Sequence, residues 1–147
     1  MIKFRTLELP DVPIITQMMQ DFYAIDNYPI DVEITKKLFE TFINDQNLGK
    51  SFLIYNHSEI VGYIILTFVF SFEYKGRIAF LDELYVNENF RGMGIGNQAI
   101  QFIKDEMSRS NLKLIYLEVE NHNKIAQNLY LDHGFAVHHR KLMKYIC

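Results

Sequence analysis

Two adjacent acids, Asp82 and Glu83, lie in an otherwise apolar stretch from Phe80 to Val86. Ionised carboxylates in such a stretch are costly to bury unless another group pairs with them. An acid pair held there could bind a cation or take up a proton. Because side chains alternate along a regular strand, the two acids should face opposite sides of a sheet. One of them is then structural, unless a bulge turns both the same way.

Three glycines follow this stretch at alternate positions, Gly92, Gly94 and Gly96, with Arg91 directly before them. The pattern predicts a turn that opens a helix. A helix N-terminus presents unpaired backbone N–H groups and a partial positive charge, and glycines leave room for a phosphate to approach. We therefore predict an anion-binding turn beside the acid pair, which together indicate an active site. An ordinary glycine-rich turn is the alternative.

The composition is typical of one folded domain. Of the 147 residues, 49% are hydrophobic and 14% aromatic, which is enough to bury one core, so we expect a single domain over residues 1–147. A net charge of −3 provides no basic field, and we expect no nucleic-acid partner. Neither a membrane-length apolar run nor a signal-peptide core is found, so we expect no membrane partner and a cytoplasmic location.

Four histidines near the C-terminal end raise the question of a metal centre. His122, His133, His138 and His139 have no carboxylate or cysteine partner at ligand spacing. Cys147 is the only cysteine, so neither a disulfide nor a cysteine-based metal site can form within the chain. We expect surface histidines and no metal.

The first half of the chain predicts strands and amphipathic helices from the spacing of its apolar residues. The predicted elements are a strand from Ile2 to Thr6, a helix from Pro13 to about Ala24, a helix that begins near Ile34 and ends near Asn44 to Gly49, and strands Ser51 to Tyr55, Ile60 to Phe70 and Arg77 to Val86. The last three strands are joined by short polar turns. They should form an antiparallel meander.

The second half predicts a parallel strand and further elements after it. The predicted elements are a helix from Ile95 to about Arg109, a strand from Lys113 to Glu120, a helix from Asn123 to Leu131, and last strands at Phe135 to His138 and Lys141 to Ile146. The strand, helix and strand from about residue 78 to 120 should be parallel and right-handed. The expected class is α/β (α+β), with a mixed, mostly antiparallel sheet of about seven strands and about four helices.

The order of these elements resembles the GNAT superfamily of acetyl-CoA-dependent N-acetyltransferases. Two motifs carry the resemblance, and together they cover roughly residues 80 to 136. The run Arg91 to Gly96 (RGMGIG) matches the superfamily's phosphate-binding pattern at all three required positions. The second pattern is matched by Asn123, Ala126, Leu129-Tyr130 and Gly134-Phe135. The first fifty residues match only in their layout.

The resemblance implies that acetyl-CoA is the acyl donor. The implied cofactor-binding residues are Leu84, Tyr85, Val86, Arg91, Gly92, Met93, Gly94, Ile95, Gly96, Asn123 and Tyr130. The backbone from Gly92 to Gly96 would bind the pyrophosphate. The backbone from Leu84 to Val86 would pair with the pantetheine arm like an added strand, and Asn123 would contact the same arm.

The resemblance also implies catalytic roles. Tyr130 falls where the superfamily has a tyrosine near the CoA sulfur, and it would protonate the departing thiolate as a general acid; an ordinary core tyrosine is the alternative. Asp82 or Glu83 would take a proton from the acceptor ammonium, directly or through water, because only a neutral amine attacks a thioester. The amine would attack directly, without a covalent enzyme intermediate.

The acceptor is predicted to be a small cationic amine. The stretch from Leu81 to Val86 is similar to a strand of the diamine acetyltransferases within the superfamily, although the two acids are in the reverse order. The predicted substrate-binding residues are Asp82, Glu83, Tyr28, Asp26 and Phe72, with Tyr23 as a further candidate for the pocket wall. Exposed strands and aromatic side chains also suggest a homodimer.

Two other functions fit parts of the sequence. The stretch from Gly94 to Ala99 satisfies the dinucleotide-binding pattern G-x-G-x-x-A, with Glu118 or Glu120 about twenty residues on. However, seven residues separate Val86 from the first of those glycines, and the chain offers only one parallel unit. The second alternative is a non-catalytic acyl-CoA-binding regulator of the same fold, which measured turnover with an amine would distinguish from an enzyme.

Overall fold

A computed structural model of the protein describes residues 1–147, which form five strands and four helices. The strands are β1 (Ile2–Thr6), β2 (Gly49–Asn56), β3 (Glu59–Ser71), β4 (Gly76–Val86) and β5 (Ile115–Leu117). The helices are α1 (Val12–Ile25), α2 (Val32–Asn44), α3 (Ile95–Arg109) and α4 (Lys124–Asp132), with short 3₁₀ turns at Leu9–Asp11 and Glu88–Phe90. None of these helices has both the length and the apolar character needed to cross a lipid bilayer.

The strands form one mixed sheet in the order β1-β2-β3-β4-β5. The first three pairings are antiparallel and the pairing of β4 with β5 is parallel. The predicted mixed, mostly antiparallel sheet and the four helices are therefore confirmed. A dinucleotide-binding domain needs several parallel units, and this sheet has one parallel pair.

The sheet has five strands, so the prediction of about seven was wrong. β5 covers Ile115–Leu117 instead of Lys113 to Glu120, and the stretches Phe135 to His138 and Lys141 to Ile146 form no strand. A strand needs a partner edge and a face to bury. The edge of β5 is three residues long, and the apolar side chains of the last segment are exposed, as Tyr145 is to 92%.

The two faces of the sheet bury separate cores, and alternation along β3 shows how. Tyr63 and Ile65 join the core beneath α1 and α2, whereas Ile64 and Leu66 join the core beneath α3 and α4. Burial of such side chains typically stabilises a fold by about 1.5–3 kcal/mol each. The central strands are thus covered on both sides, and β4 passes between the two helical layers.

Candidate active site

The acid pair lies at a bulge in β4. Glu83 pairs with Ile65 of β3, and Leu81 pairs with the next residue, Leu66, so Asp82 has no partner. The extra residue breaks the alternation. Leu81 therefore belongs to the core under α3, while Asp82 and Glu83 both line one cavity on the α1 side. The bulge that would turn both acids the same way is present.

This cavity, of about 340 Å³, is formed by α1, α2 and the loop between them, together with β3 and β4. Its charged lining residues are three acids, Asp31, Asp82 and Glu83, and no Lys, Arg or His lines it. Most of the other walls are apolar, including Ile30 and Phe39. A concave site of this kind suits a cation with an apolar body.

Glu83 is held by two tyrosines. The Tyr23 hydroxyl donates to its Oε2 at 2.6 Å, and the Tyr63 hydroxyl donates to its Oε1 at 2.7 Å. Burial raises the pKa of Glu83 above its ordinary value, the two phenol hydrogen bonds oppose that rise, and the charge of Asp82 adds to it. Tyr63 was not predicted from the sequence, because only the pairing of β3 with β4 brings it next to Glu83.

Asp82 has a different environment. The residue is exposed, and none of the protein's donors bonds to its carboxylate. Partial burial of the carboxyl group, followed by the charge of Glu118 beyond β5, raises the pKa of Asp82 above its ordinary value. Free oxygens and a raised pKa suit a carboxylate to accepting a proton.

The glycine-rich turn presents free donors at the start of α3. Gly92 and Gly94 have φ values of 78° and 81°, in the left-handed region that favours glycine. A Cβ at either position would meet nothing within 4 Å, whereas at Gly96 it would lie 3.1 Å from Leu129 of α4. The backbone N–H groups from Gly92 to Gly96 donate to no backbone oxygen of the protein. Such a row of donors with open space in front of it fits a phosphate.

β4 also has an open edge next to this turn. It pairs with β5 only through Ala79–Leu81, so the edge that faces β5 has no strand partner from Asp82 to Val86. Arg91 reaches the end of this edge, where its Nε donates to the Val86 carbonyl at 2.8 Å. The predicted residues Leu84, Tyr85 and Val86 therefore lie on a backbone edge that could pair with an extended ligand.

The two predicted residues of the second motif lie on α4 or at its start. Asn123 caps the helix, because its Oδ1 accepts a hydrogen bond from the Ala126 N–H at 3.1 Å. Tyr130 is partly buried, and its ring lies 5.7 Å from the ring of Phe135. Burial raises the pKa of the Tyr130 phenol, and no hydrogen bond contributes to that shift. The phenol is therefore protonated at neutral pH.

Three predicted substrate-binding residues are not among those that line the cavity. Asp26 Oδ1 lies 3.1 Å from His122 Nε2, and the Tyr28 hydroxyl donates to Glu120, so both residues join the α1–α2 loop to the segment before α4. Phe72 is 89% exposed in the connection between β3 and β4. Their roles in substrate binding stay predictions.

The histidines take part in local contacts. Besides the contact of His122, His133 Nε2 lies 2.9 Å from Asn97 Oδ1, which joins the end of α4 to the start of α3. The ring of His138 lies 5.2 Å from that of Tyr116. No group of three or more His, Cys, Asp or Glu side chains is arranged to hold a metal ion.

The open strand edge, the donor-lined turn and the mixed sheet define an acetyltransferase type of fold. Residues 15–135 match the model of the acetyltransferase (GNAT) family, and the chain belongs to this family. The resemblance that the two motifs carried is thereby confirmed.

Similar proteins are known in several organisms. Over 79 residues the chain is 30% identical to an uncharacterized N-acetyltransferase, YhfO, of Bacillus subtilis (strain 168), which covers 54% of this chain and 53% of that protein. Over 73 residues it is 34% identical to the thialysine N-epsilon-acetyltransferase of Mus musculus, and this match covers 50% of this chain and 42% of that protein. The matched stretch thus spans about half the length of these relatives or less.

Solved structures match over the whole chain. A predicted acetyltransferase with acetyl-CoA, from Clostridium acetobutylicum, superposes with a TM-score of 0.83 and covers 99% of this chain and 96% of that chain. The sequence identity is 16%. This likeness shows a shared fold.

Proposed function

We propose that this protein is an N-acetyltransferase that moves an acetyl group from acetyl-CoA to a small cationic amine. The observation that carries the proposal is the cavity in which Asp82 and Glu83 stand side by side with no cationic side chain around them. The same stretch of β4 forms the open edge next to the glycine-rich turn. An acceptor in the cavity would therefore lie next to a donor bound along that edge.

The residues present fit acetyl-CoA. The free N–H groups from Gly92 to Gly96 suit a pyrophosphate, and the unpaired edge from Leu84 to Val86 suits the amide groups of a pantetheine arm. The Clostridium acetobutylicum structure is described with acetyl-CoA, which supports the same donor here. When bound, acetyl-CoA supplies the activated acetyl group.

The chain's own side chains would carry the proton transfers. Transfer of one proton from the acceptor ammonium to a carboxylate of the acid pair leaves a neutral amine with a free electron pair. The Tyr130 phenol carries its proton at neutral pH, since its ordinary pKa of 10.0 is raised further by burial, and its hydroxyl can give that proton to the leaving sulfur. Asp82 is exposed and can return its proton to water.

The walls and charges of the cavity also support a small cationic amine as the acceptor. Its apolar walls, such as Ile30 and Phe39, fit a carbon chain, and the three acids favour a positive charge. The name of the mouse relative refers to thialysine and its N-epsilon position, which is consistent with an amine acceptor.

Turnover of acetyl-CoA with acceptors of matched length tests the proposal. The acceptors are a five-carbon diamine, the monoamine of the same length, and the compound of the same length in which a carboxylate replaces one of the two amines. They differ mainly in charge. We expect kcat/KM to fall in that order, with the value for the amino acid about tenfold or more below that for the diamine. High salt should reduce this difference in kcat/KM. A preference for the amino acid would contradict the cationic acceptor. Acetyl-CoA binding without turnover of any amine would favour the non-catalytic regulator.

A further inference from the structure

Glu83 stands in a clamp of two phenols that come from different elements. Tyr23 lies on α1 and Tyr63 on β3, and each donates to a different oxygen of Glu83, at 2.6 and 2.7 Å. Tyr63 is fully buried, and its ring packs 5.6 Å from the ring of Tyr85. The carboxylate therefore has a fixed position at the cavity wall.

The two phenol hydrogen bonds favour the carboxylate form of Glu83 against the rise in its pKa that burial causes, and so suit it to holding a cation. A protonated carboxyl oxygen is a donor, so the phenol that donates to it would have to turn or lose its bond. A carboxylate can accept about four hydrogen bonds, and the phenols use two. Glu83 can therefore accept hydrogen bonds from an ammonium while it stays an anion.

Asp82 differs from Glu83 in each of these respects. It is the unpaired residue of the bulge, it is exposed, and no donor of the protein bonds to it. The charge that acts on it from a neighbouring segment is that of Glu118. Taking up a proton relieves this repulsion, and exposure lets the proton leave to water.

We propose that the two acids divide the work: Glu83 binds the acceptor ammonium, Asp82 accepts its proton, and Tyr23 and Tyr63 are positioning residues for Glu83. This inference rests on the proposed acetyltransferase function. In the proton transfer, one N–H bond of the ammonium breaks and one O–H bond forms on Asp82. The electron pair of the broken bond stays on nitrogen for the attack.

The pH dependence of binding follows from the groups around Glu83. They are Tyr23 on α1, Tyr63 on β3, Asp82 on β4, and Asp31 at the start of α2, which lines the same cavity. All are acids or phenols, and no cationic side chain lines the cavity. Protonation of Glu83 should therefore weaken the binding of a cationic acceptor.

Steady-state kinetics of the full chain with its best cationic amine separate the two acids. Asp82→Asn should lower kcat by about 10²-fold or more, as expected for loss of a general base, and change KM by less than about threefold. Glu83→Gln should raise KM by about tenfold or more and affect kcat less.

The pH profile tests the positioning residues. Tyr23→Phe removes a hydrogen bond that lowers the pKa of Glu83, so the low-pH rise in KM should begin about one pH unit higher. Tyr55→Phe is the matched control, because the Tyr55 hydroxyl accepts a hydrogen bond from Arg5 outside the cavity, at 2.9 Å. It should leave the profile unchanged. Tyr63→Phe is the second variant if Tyr23→Phe does not fold.

Two results would overturn the division of work. One is a kcat loss in Glu83→Gln paired with a KM increase in Asp82→Asn. The other is a pH profile of the Tyr23→Phe and Tyr63→Phe variants that matches that of Tyr55→Phe. Both results require an active wild type and leave the proposed acetyltransferase standing. A wild type that acetylates no amine would overturn both proposals.

Discussion

Tyr130 carries a hydroxyl that the fold itself does not use. Burial raises the pKa of this phenol, and no hydrogen bond contributes to the shift. Tyr130→Phe should therefore lower turnover by about 10² to 10⁴-fold, or by less where water substitutes as the acid. The affinity for acetyl-CoA, measured by calorimetry, and the melting temperature should stay close to those of the wild type.

Tyr145→Phe is the control for this substitution, because Tyr145 is 92% exposed near the end of the chain. It should leave turnover unchanged. Wild-type turnover in Tyr130→Phe would show that Tyr130 is a core residue without a catalytic role.

The residues of the acid pair show what a sequence can and cannot predict at this scale. Their type and position indicated a functional site, because burying two carboxylates in an apolar strand costs free energy unless other groups pair with them. The direction of their side chains depended on the bulge at Asp82, which is a property of the pairing between β3 and β4. The contact of Tyr63 with Glu83 depended on the same pairing, and no local pattern marks it.

A substitution in the turn between β4 and α3 should separate cofactor binding from folding. Gly94 has a left-handed φ of 81° and open space where a Cβ would stand. Gly94→Glu would place a carboxylate beside the free N–H groups that are proposed to hold the pyrophosphate. We expect the Kd for acetyl-CoA, measured by calorimetry on the folded variant, to rise by about tenfold or more.

Gly134→Glu is a matched control for that substitution. Gly134 also has a left-handed φ, of 91°, and nothing within 4 Å of its Cβ position. Both variants carry the strain of a side chain in that region, roughly 1–2 kcal/mol, but Gly134 follows the end of α4. Undiminished affinity in Gly94→Glu would place the cofactor elsewhere.

Elements were predictable where their signals are local. The apolar spacing of α1, α2 and α3 and the β-branched runs of β2 to β4 gave bounds within a few residues of those observed. β5 and the last segment were not predictable in this way, because a strand also needs a free partner edge. The free edge of β5 is only three residues long, and the alternating residues from Lys141 to Ile146 form no strand.

On the scale of the whole molecule, the family resemblance supplied what local patterns could not. It implied the acyl donor and the catalytic roles, whereas the parallel pairing of β4 with β5 and the place of the glycine-rich turn were predicted from the order of the elements and from the glycines themselves. The first fifty residues matched only in layout, yet α1 and α2 form much of the cavity wall and provide Tyr23. The class of acceptor was predicted from the acid pair and its similarity to the diamine acetyltransferases, whereas the walls of its cavity are known only from the structure. The homodimer stays a prediction.

The site also has a cost for the stability of the molecule. Asp82 and Glu83 both have pKa values raised by burial, so their ionised forms are less stable in the folded protein than in the unfolded chain. Natural proteins are only marginally stable, and active sites commonly reduce that stability. Removal of one of these charges should therefore stabilise the fold while it impairs the proposed reaction.

Asp82→Asn tests this cost, because Asp82 accepts no hydrogen bond that the substitution would break. Since the folded pKa of Asp82 lies above its ordinary value of 3.8, the native state binds the proton more tightly, and stability is lost as the pH rises through the folded pKa. The variant should be more stable than the wild type above that pKa and equal to it below 3.8. The residue is exposed, so we expect a gain below about 1 kcal/mol at neutral pH, measured by urea unfolding. A gain that does not change with pH would attribute the effect to packing, and a loss would mean that Asp82 has a cationic partner in the folded protein.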